Sequence, residues 1–208
     1  MREADLRGRR VLDVGCGTGR LARALAERDA AKVWGVDASP EMLTAARVPR
    51  GVRLKHARAE ALPFREGWFE RVVFWLSAHL VDRAVAFAEA GRVLVADGRI
   101  AVVTFDESHF ATHWLNRFFP SMERIDRARF PTRDQLAGEL PGAHFVRISQ
   151  TARFTREEAL ERVHCGHIST FDLLDPDELR RGTTRAEREL PEQIESPVEF
   201  LVAVTGTM

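Results

Sequence analysis

The chain has 208 residues, which is enough for one domain with a substantial hydrophobic core. Its 31 basic and 31 acidic residues cancel, so no overall field attracts it to nucleic acid or to an anionic membrane. A charged N-terminus, only two cysteines and no apolar run of the ~20 residues that a bilayer span needs predict a cytoplasmic protein without a disulfide framework.

The first predicted strand, Val11–Val14, leads directly into three alternating glycines, Gly15, Gly17 and Gly19. An amphipathic helix then begins near Leu21. Glycines let the backbone approach a ligand closely, and the first turn of a helix offers N–H groups that have no partner within the helix. This strand, turn and helix therefore predict a cradle for a small ligand.

Strands and helices alternate from this cradle to Phe105. The predicted strands span 33–36, 52–56, 70–76 and 99–105, and the predicted helices span 41–47 and 82–94, with Asp97-Gly98 as the stop signal of the second helix. Regular strand–helix units require a parallel sheet with right-handed crossovers. After Phe105 the alternation breaks, and the segment 106–130, rich in aromatic residues, His and Arg, is predicted to be an irregular or helical insertion.

The last third of the chain is predicted to complete the sheet. A helix over 131–140 takes Thr132 as its N-cap, and strands are predicted over 144–154 and 197–205, with helices over 155–163 and 176–189 between them. We therefore predict an α/β fold: a Rossmann-like, doubly wound, mostly parallel seven-stranded sheet with helices on both faces and a helical cap insertion.

Polar, small or aromatic residues follow each of the first five strands, while the strands themselves are apolar. Ligands of open parallel sheets bind outside the carboxyl ends of the strands, so these residues predict a ligand crevice. Asp37 is the most informative of them, because a carboxylate 18 residues after Gly19 is placed to accept hydrogen bonds from a ribose diol. The alternative is an acid that only complements the dipole of the next helix.

The glycine turn distinguishes between nucleotide ligands. Arg20 stands where a dinucleotide-binding turn requires its third glycine, and no phosphate-loop lysine follows. Asp13, close before the turn, disfavours an anionic phosphate and suits a ligand with an ammonium group. S-adenosylmethionine has a ribose but no phosphate and fits both features, whereas the cofactor of a nicotinamide-dependent oxidoreductase does not.

Several segments together resemble the class I S-adenosylmethionine-dependent methyltransferases, and in particular the small-molecule group that includes quinone-biosynthesis enzymes. The matching segments are 11–19, 33–43, 59–64 and 68–73, and residues 92–94 with Asp97-Gly98 resemble the turn before the fifth strand of that family. The resemblance covers residues 9 to 105 in the family's order and spacing. It implies one methyltransferase domain over 1–208, with a cofactor-binding half over 1–105 and cap segments over 106–130 and 155–196.

The resemblance also implies roles for individual residues. The glycines of the turn line the methionine and ribose, Asp13 holds the amino-acid end, and Asp37 holds the ribose hydroxyls. Met42 packs near adenine, for which ordinary core filling is the alternative. Ala59 offers its N–H to adenine, and Trp75 lies beside the methionine moiety. The predicted cofactor set is Asp13, Gly15, Gly17, Thr18, Gly19, Asp37, Ala38, Met42, Ala59, Glu60 and Trp75.

Two features depart from the family. Arg58 stands where the family often has an aspartate that accepts from the adenine amino group, so Glu60 or the backbone must replace that contact. Only ten residues precede the first strand, whereas the family usually has one or two helices there that close over the cofactor. We therefore expect either that the cofactor is more exposed, or that segment 106–130 or a partner subunit covers it. A homodimer is one possibility that the sequence leaves open.

Methyl transfer requires alignment of the nucleophile, the methyl group and the sulfur, and a base only where the nucleophile must lose a proton. His79, just past the fourth strand, and His109 and His113, in the insertion, are the catalytic candidates, with a structural role as the alternative for His79. The aromatic residues of the insertion either suit an apolar or planar acceptor or form a small satellite core: Phe105, Phe110, Trp114, Phe118 and Phe119.

Two further patterns involve the cysteines. His164, Cys165 and His167 suggest a metal site, but no second His/Cys pair accompanies them, so no metal is expected. Cys16, at the start of a helix, either has a lowered pKa or is simply a small residue that fits the turn.

We therefore predict an enzyme that transfers a methyl group from S-adenosylmethionine to a small-molecule acceptor by in-line displacement. The alternative is a protein that binds S-adenosylmethionine or S-adenosylhomocysteine without methylating, as a regulatory or scaffold subunit or as a non-methylating enzyme. The absence of a base-methylation signature and of net positive charge disfavours a nucleic-acid substrate.

Overall fold

The computed structural model describes residues 5–28, 32–165 and 168–205. Its strands are Arg10–Val14 (β1), Lys32–Asp37 (β2), Arg53–His56 (β3), Phe69–Trp75 (β4), Leu94–Phe105 (β5), His144–Thr155 (β6) and Gln193–Val204 (β7). Its α-helices are Arg20–Arg28 (α1), Pro40–Ala45 (α2), Arg83–Val93 (α3), Glu107–Thr112 (α4), Met122–Arg129 (α5), Arg133–Glu139 (α6), Arg156–His164 (α7) and Pro176–Glu189 (α8). Short 3-10 helices span Ala78–Leu80, Trp114–Arg117 and Phe171–Leu173. None of these helices combines the length and the apolar composition needed to cross a bilayer.

The first five strands form a parallel array in the order β3-β2-β1-β4-β5. The pairs β1–β2, β1–β4, β2–β3 and β4–β5 all run parallel. Val11, Leu12 and Val14 of β1 are at most 1% exposed, as expected for a strand that is covered on both faces. Because the strands are parallel, their carboxyl ends meet at one edge of the sheet, which Asp37 and Trp75 reach; we call it the carboxyl edge.

The last two strands complete a seven-stranded sheet, in which β7 lies between β5 and β6. The Asp106 N–H donates to the Glu199 carbonyl and the Thr205 N–H donates to the Ile100 carbonyl. Higher residue numbers in β5 therefore pair with lower residue numbers in β7, so these two strands are antiparallel. The side-chain pairs across β6 and β7 follow the same reversed order. The predicted doubly wound, mostly parallel seven-stranded sheet is confirmed.

The chain divides into two compact units. The first comprises Met1–Thr104, Pro131–Val146 and Leu201–Met208, and the second comprises Phe105–Phe130 and Arg147–Phe200. Each unit has its own hydrophobic core, which includes Leu12, Phe69 and Phe74 in the first unit and Leu115 and Phe119 in the second. Both segments predicted to form a cap lie in the second unit.

Aromatic residues of the predicted insertion build the core of the second unit. Phe118 and Phe119 are 3% and 0% exposed and pack in one cluster with Leu115. Trp114 packs against the same cluster, and Phe110 is also buried. The satellite-core interpretation is therefore confirmed for Phe118 and Phe119, whose rings are covered by neighbouring apolar side chains.

Helix boundaries follow local sequence signals, with one exception. Thr132 is the N-cap of α6: its hydroxyl accepts from the Gln135 N–H, and the Gln135 side chain accepts from the Thr132 N–H. Helix α8 spans the residues predicted for it. Asp97-Gly98, in contrast, is not a helix stop, because α3 ends at Val93 and both residues lie within β5.

The pairing of β4 with β5 explains this wrong prediction. Leu94 pairs with Phe69 and Arg99 pairs with Arg71, so four residues of β5 lie opposite one residue of β4. A Cβ atom on Gly98 would lie 2.7 Å from the side chain of Leu94. The glycine thus marks a bulge inside a strand, a role that its sequence neighbourhood does not distinguish from a helix stop.

We predict opposite effects for two helical glycine-to-alanine substitutions. In α8, a Cβ atom on Gly182 would overlap the Phe119 ring and lie 2.7 Å from the Phe118 carbonyl oxygen. We expect Gly182→Ala to lower the free energy of unfolding by about 1–3 kcal/mol, since overpacking outweighs the better helix propensity. Around Gly138 in α6, no atom of another element in the described part of the chain lies within 4 Å of such a Cβ, and Gly138→Ala is expected to stabilise by roughly 0.5–1 kcal/mol. Urea unfolding measures both, and destabilisation by both variants alike would contradict the packing argument.

Candidate active site

The glycine turn after β1 is tied to the end of β2. Gly15, Gly17 and Gly19 have φ angles of 73°, 52° and 79°, in the left-handed region that favours glycine. The N–H groups of Gly15 and Cys16 both donate to the Val36 carbonyl, at 2.9 and 3.0 Å. These bonds hold the turn at the carboxyl edge of the sheet.

The three glycines are needed for different reasons. A Cβ atom on Gly15 would overlap the side chain of Ser77, and one on Gly19 would overlap Val48. Around Gly17, in contrast, no described atom lies within 4 Å of such a Cβ. Gly15 and Gly19 therefore serve the packing of the protein itself, whereas the backbone at Gly17 is open to the approach of a ligand.

Asp37, the predicted ribose-binding residue, also fixes this turn. Its Oδ2 atom accepts a hydrogen bond from the Gly17 N–H at 2.7 Å, and its Oδ1 atom accepts one from the Ser39 N–H at 2.9 Å. Ser39 in turn caps α2, where its hydroxyl accepts from the Met42 N–H. A carboxylate has about four lone-pair sites, so the half-buried Asp37 retains acceptor capacity for ribose hydroxyls.

Asp13 is a buried acid whose carboxyl oxygens have no close hydrogen-bond partner among the described residues. Its side chain is 1% exposed. Burial, and secondly the charge of Asp37, raises the pKa of Asp13 to about 7; the nearby backbone N–H of Ala22 lowers it only in part. A buried carboxyl with both oxygens unpaired fits the ammonium group that the sequence predicts for the ligand.

Cys16 packs in the space left by Gly35 of β2. A Cβ atom on Gly35 would lie 2.8 Å from the Cys16 sulfur, so a side chain at position 35 would displace the thiol. Burial, followed by the charges of Asp13 and Asp37, raises the pKa of the Cys16 thiol to about 12. The suggestion of a lowered pKa is therefore wrong, and the role of a small residue that fits the turn is confirmed.

The residues predicted around adenine differ in exposure. Met42 is 47% exposed, so the alternative of core filling is wrong for it, and Ala38 is also exposed. Ala59 is buried. The carboxylate of Glu60 accepts from the Asp82 N–H at 3.0 Å and pairs with Arg58 at 3.3 Å. Glu60 thus already links two loops, while the side chain of Arg58 is mostly exposed.

The turn after β4 adds two features that the sequence did not single out. Leu76 follows Trp75 with φ of 51°, a conformation that costs a non-glycine residue about 1–2 kcal/mol. The buried Ser77 hydroxyl donates to the Val14 carbonyl at 2.6 Å, which holds this turn against the end of β1. The half-buried His79 lies in the short helix that follows. In the sequence, Leu76 and Ser77 are marked only by their position directly after an apolar strand.

His109 and His113 lie in the second unit, on and directly after α4. The His109 ring is 3% exposed and stacks on Phe105, with ring centres 4.2 Å apart, and its Nδ1 atom has no partner among the described residues. Burial lowers its pKa, an effect opposed by a hydrogen bond to the Pro197 backbone. Burial, and then the neighbouring His109, lowers the pKa of His113 to about 3. His113 Nδ1 accepts from the Leu115 N–H, which requires the unprotonated nitrogen.

The predicted site residues thus separate into two groups. The first unit contains all eleven predicted cofactor residues and His79, and the second contains His109 and His113. His164 pairs with Glu187 at 3.0 Å, Cys165 is exposed, and His167 lies outside the described residues. In the described ranges no group of three His, Cys, Asp or Glu side chains is placed to hold a metal ion.

We predict that Asp13→Asn changes the pH dependence of stability. The folded protein keeps the Asp13 proton up to about pH 7, whereas the unfolded chain releases it near the ordinary value of 3.8. The folded state therefore binds more protons between these values, and the free energy of unfolding falls as the pH rises, by up to about 4 kcal/mol. Asparagine does not titrate, so the stability of the variant relative to the wild type should increase from about pH 4 to about pH 8.

Urea unfolding across this pH range measures the difference. Asp134→Asn, at an exposed position of α6 in the same unit, controls for the exchange of an acid for its amide. A difference between Asp13→Asn and the wild type that does not change with pH would contradict the buried-proton argument.

Comparisons with known proteins agree with these observations. Residues 11–98 match the family described as a methyltransferase domain. The chain is 38% identical over 155 residues to the malonyl-[acyl-carrier protein] O-methyltransferase of Geobacter sulfurreducens, covering 65% of this chain and 55% of that protein. It is 41% identical over 104 residues to the demethylmenaquinone methyltransferase of Thermus thermophilus, covering 47% of each. The chain thus spans about half the length of these curated relatives.

The fold also matches a solved structure over nearly its whole length. A crystal structure of an Anabaena variabilis protein, described as a methyltransferase from an antibiotic biosynthesis pathway, superposes with a TM-score of 0.74 at 23% identity. The match covers 94% of this chain and 90% of that one. The ordered motifs, the domain match and the sheet topology agree: residues 11–98 are similar to a methyltransferase domain, and a demethylmenaquinone methyltransferase is among the proteins that the chain resembles.

Proposed function

We propose that the protein transfers the methyl group of S-adenosylmethionine to a small-molecule acceptor in the cytoplasm. The observation that carries this proposal is the unpaired, buried carboxyl of Asp13 beside a glycine turn whose middle residue, Gly17, is open. A buried acid without a partner is costly, and a bound cation offsets that cost. The amino-acid end of S-adenosylmethionine carries such a cation next to the ribose that Asp37 is proposed to bind.

The chain's own residues can hold this cofactor along the carboxyl edge. Asp13 would face its ammonium group, directly or through water, and Gly15, Gly17, Thr18 and Gly19 would line its methionine and ribose. Asp37 would accept from the ribose hydroxyls while it keeps the Gly17 N–H in place. The remaining predicted residues would border adenine and methionine: Ala38, Met42, Ala59, Glu60 and Trp75.

Methyl transfer depends more on the alignment of the acceptor with the methyl group and the sulfur than on chemical activation of the acceptor. When bound, S-adenosylmethionine supplies an electrophilic methyl group that an acceptor atom attacks in line with the sulfur. The protein must hold both partners and exclude water. The Ser77 hydroxyl bond to Val14 and the glycine turn fix the backbone on both sides of the β1 end, so this binding surface is preorganised.

Some acceptors must lose a proton before or during methyl transfer. The three candidate histidines differ in how well each could accept that proton as a general base. His113 has a pKa of about 3 and its Nδ1 already accepts a hydrogen bond, so it suits a structural role. His109 keeps an unpaired Nδ1 in a buried aromatic environment and is the better candidate for a base. His79, half-buried after β4, is the alternative candidate in the first unit.

The acceptor is proposed to be apolar or planar. Phe105, which stacks on His109, also contacts the rings of Phe110, Phe130 and Phe200. Phe105 and Phe200 of this cluster are half-buried, so their rings would favour a flat, apolar partner. The two named relatives are a malonyl-[acyl-carrier protein] O-methyltransferase and a demethylmenaquinone methyltransferase, so the acceptors in their names differ.

We predict that Gly17→Ala weakens cofactor binding without a special loss of stability. Gly17 and Gly67 both have positive φ, 52° and 62°, and around neither does an atom of the described residues beyond the chain neighbours lie within 4 Å of an added Cβ. Both alanine variants should therefore lose a similar ~1–2 kcal/mol of stability through backbone strain. Only Gly17→Ala places a methyl group in the proposed cofactor space, and its dissociation constant for S-adenosylhomocysteine should rise at least about tenfold.

Isothermal titration with S-adenosylhomocysteine measures this pair of variants. Gly67→Ala should bind like the wild type because Gly67 lies in the loop before β4, at the opposite end of that strand from the carboxyl edge. Equal affinity in the two variants would remove Gly17 from the cofactor site, and no binding by the wild type would count against the whole proposal.

We predict that His109→Gln slows methyl transfer while cofactor affinity is unchanged. Loss of a general base costs about 10²–10⁴-fold in kcat. The assay measures S-adenosylhomocysteine formed from S-adenosylmethionine with a panel of quinols, phenols, carboxylic acids and amines, and the same substitution at His113 serves as the comparison. Undiminished turnover in His109→Gln would exclude it as the base, and tight cofactor binding without turnover by the wild type would favour the non-methylating alternative.

A further inference from the structure

A cavity of about 550 Å³ lies in the first unit, away from the predicted cofactor residues. Its lining is mostly charged and includes four arginines, Arg9, Arg10, Arg71 and Arg99, together with three acids. Arg10 begins β1, and Arg71 is near the start of β4. Because β1, β4 and β5 are parallel, these residues lie toward the amino edge of the sheet, opposite the edge with Asp37 and Trp75.

The strand register brings two of these positive charges together. Arg71 of β4 pairs directly with Arg99 of β5. Like charges in paired positions of neighbouring strands are destabilising. Arg71 is only 4% exposed, and its pKa is lowered by burial and then by the charges of Arg9 and, more weakly, Arg99. Two arginines in register at a partly buried position therefore need negative charge nearby.

The acidic residues of the cavity provide only part of the negative charge and of the hydrogen-bond acceptors that its arginines require. Asp5 accepts from Arg9 at 2.9 Å and from Arg71 at 3.2 Å, and Glu70 accepts from Arg9 at 3.0 Å. The Nε atoms of Arg10 and Arg99 are both buried and have no hydrogen-bond partner among the described residues. Arg10 Nε keeps only a longer ion pair, 3.6 Å from Glu70.

We propose that this cavity binds the phosphate or carboxylate group of a small molecule, with the guanidinium groups of Arg10 and Arg99 as its main donors. The four arginines exceed the three acids of the lining by one positive charge, so an anion completes the local charge balance. The planar fork of a guanidinium matches both oxyanions. The volume leaves room for more than the anionic group itself.

Isothermal titration with inorganic phosphate, and separately with acetate, tests this proposal at an ionic strength kept constant with sodium chloride. We expect the wild type to bind at least one of the two anions, which identifies the preferred group. Arg99→Gln should weaken that binding at least about tenfold. Arg133→Gln, which removes an exposed arginine of α6 in the same unit, should leave the affinity unchanged.

Binding of S-adenosylhomocysteine provides a separate readout. Arg99 lies near the amino edge, so Arg99→Gln should bind S-adenosylhomocysteine like the wild type, which also shows that the variant is folded. Failure of the anion site is thereby distinguishable from failure of the proposed function. Absence of phosphate and acetate binding by the wild type, or equal binding by Arg99→Gln, would overturn the proposal.

Discussion

The hydrogen bond from the Gly17 N–H to the Asp37 carboxylate is the contact on which the candidate site depends. It joins the turn after β1 to the end of β2, where the Val36 carbonyl already accepts two N–H groups from the same turn. Removing the Asp37 side chain would leave the backbone at Gly17 without this anchor. A residue assigned from its sequence position to ligand binding thus also shapes the surface that the ligand meets.

Incompletely paired ionisable groups lie toward both edges of the sheet in the first unit. Near the carboxyl edge, the buried Asp13 carboxyl has no close partner among the described residues, and burial and the charge of Asp37 raise its pKa to about 7. Toward the amino edge, Arg71 and Arg99 share one register position, and Asp5, which pairs with Arg71, is also paired with Arg9. A cationic ligand would offset the first cost and an anionic ligand the second. The acidic and the basic groups lie at opposite edges because the strands are parallel, so that all their amino ends lie at one edge and all their carboxyl ends at the other.

Local signals were sufficient for most of the fold. The apolar strands, the glycine turn and the capping residue Thr132 each act through neighbours within a few residues, so short-range patterns predict them well. Asp97-Gly98 was misassigned because the same dipeptide suits a helix stop and a strand bulge. The choice between them was made by the pairing of Arg99 with Arg71, a contact between distant parts of the chain.

By itself the sequence determined the parallel sheet and the glycine turn after its first strand, because these depend on periodicity and on residues close together in the chain. The tertiary structure alone decided which glycines serve packing and which is open, since Ser77 and Val48 come from other elements. It also decided that the pKa of His113 is lowered and that of the Cys16 thiol is raised, because burial and neighbouring charges set a pKa. Apolar periodicity predicts which apolar side chains are buried, but the burial of a single polar or titratable side chain depends on distant parts of the folded chain.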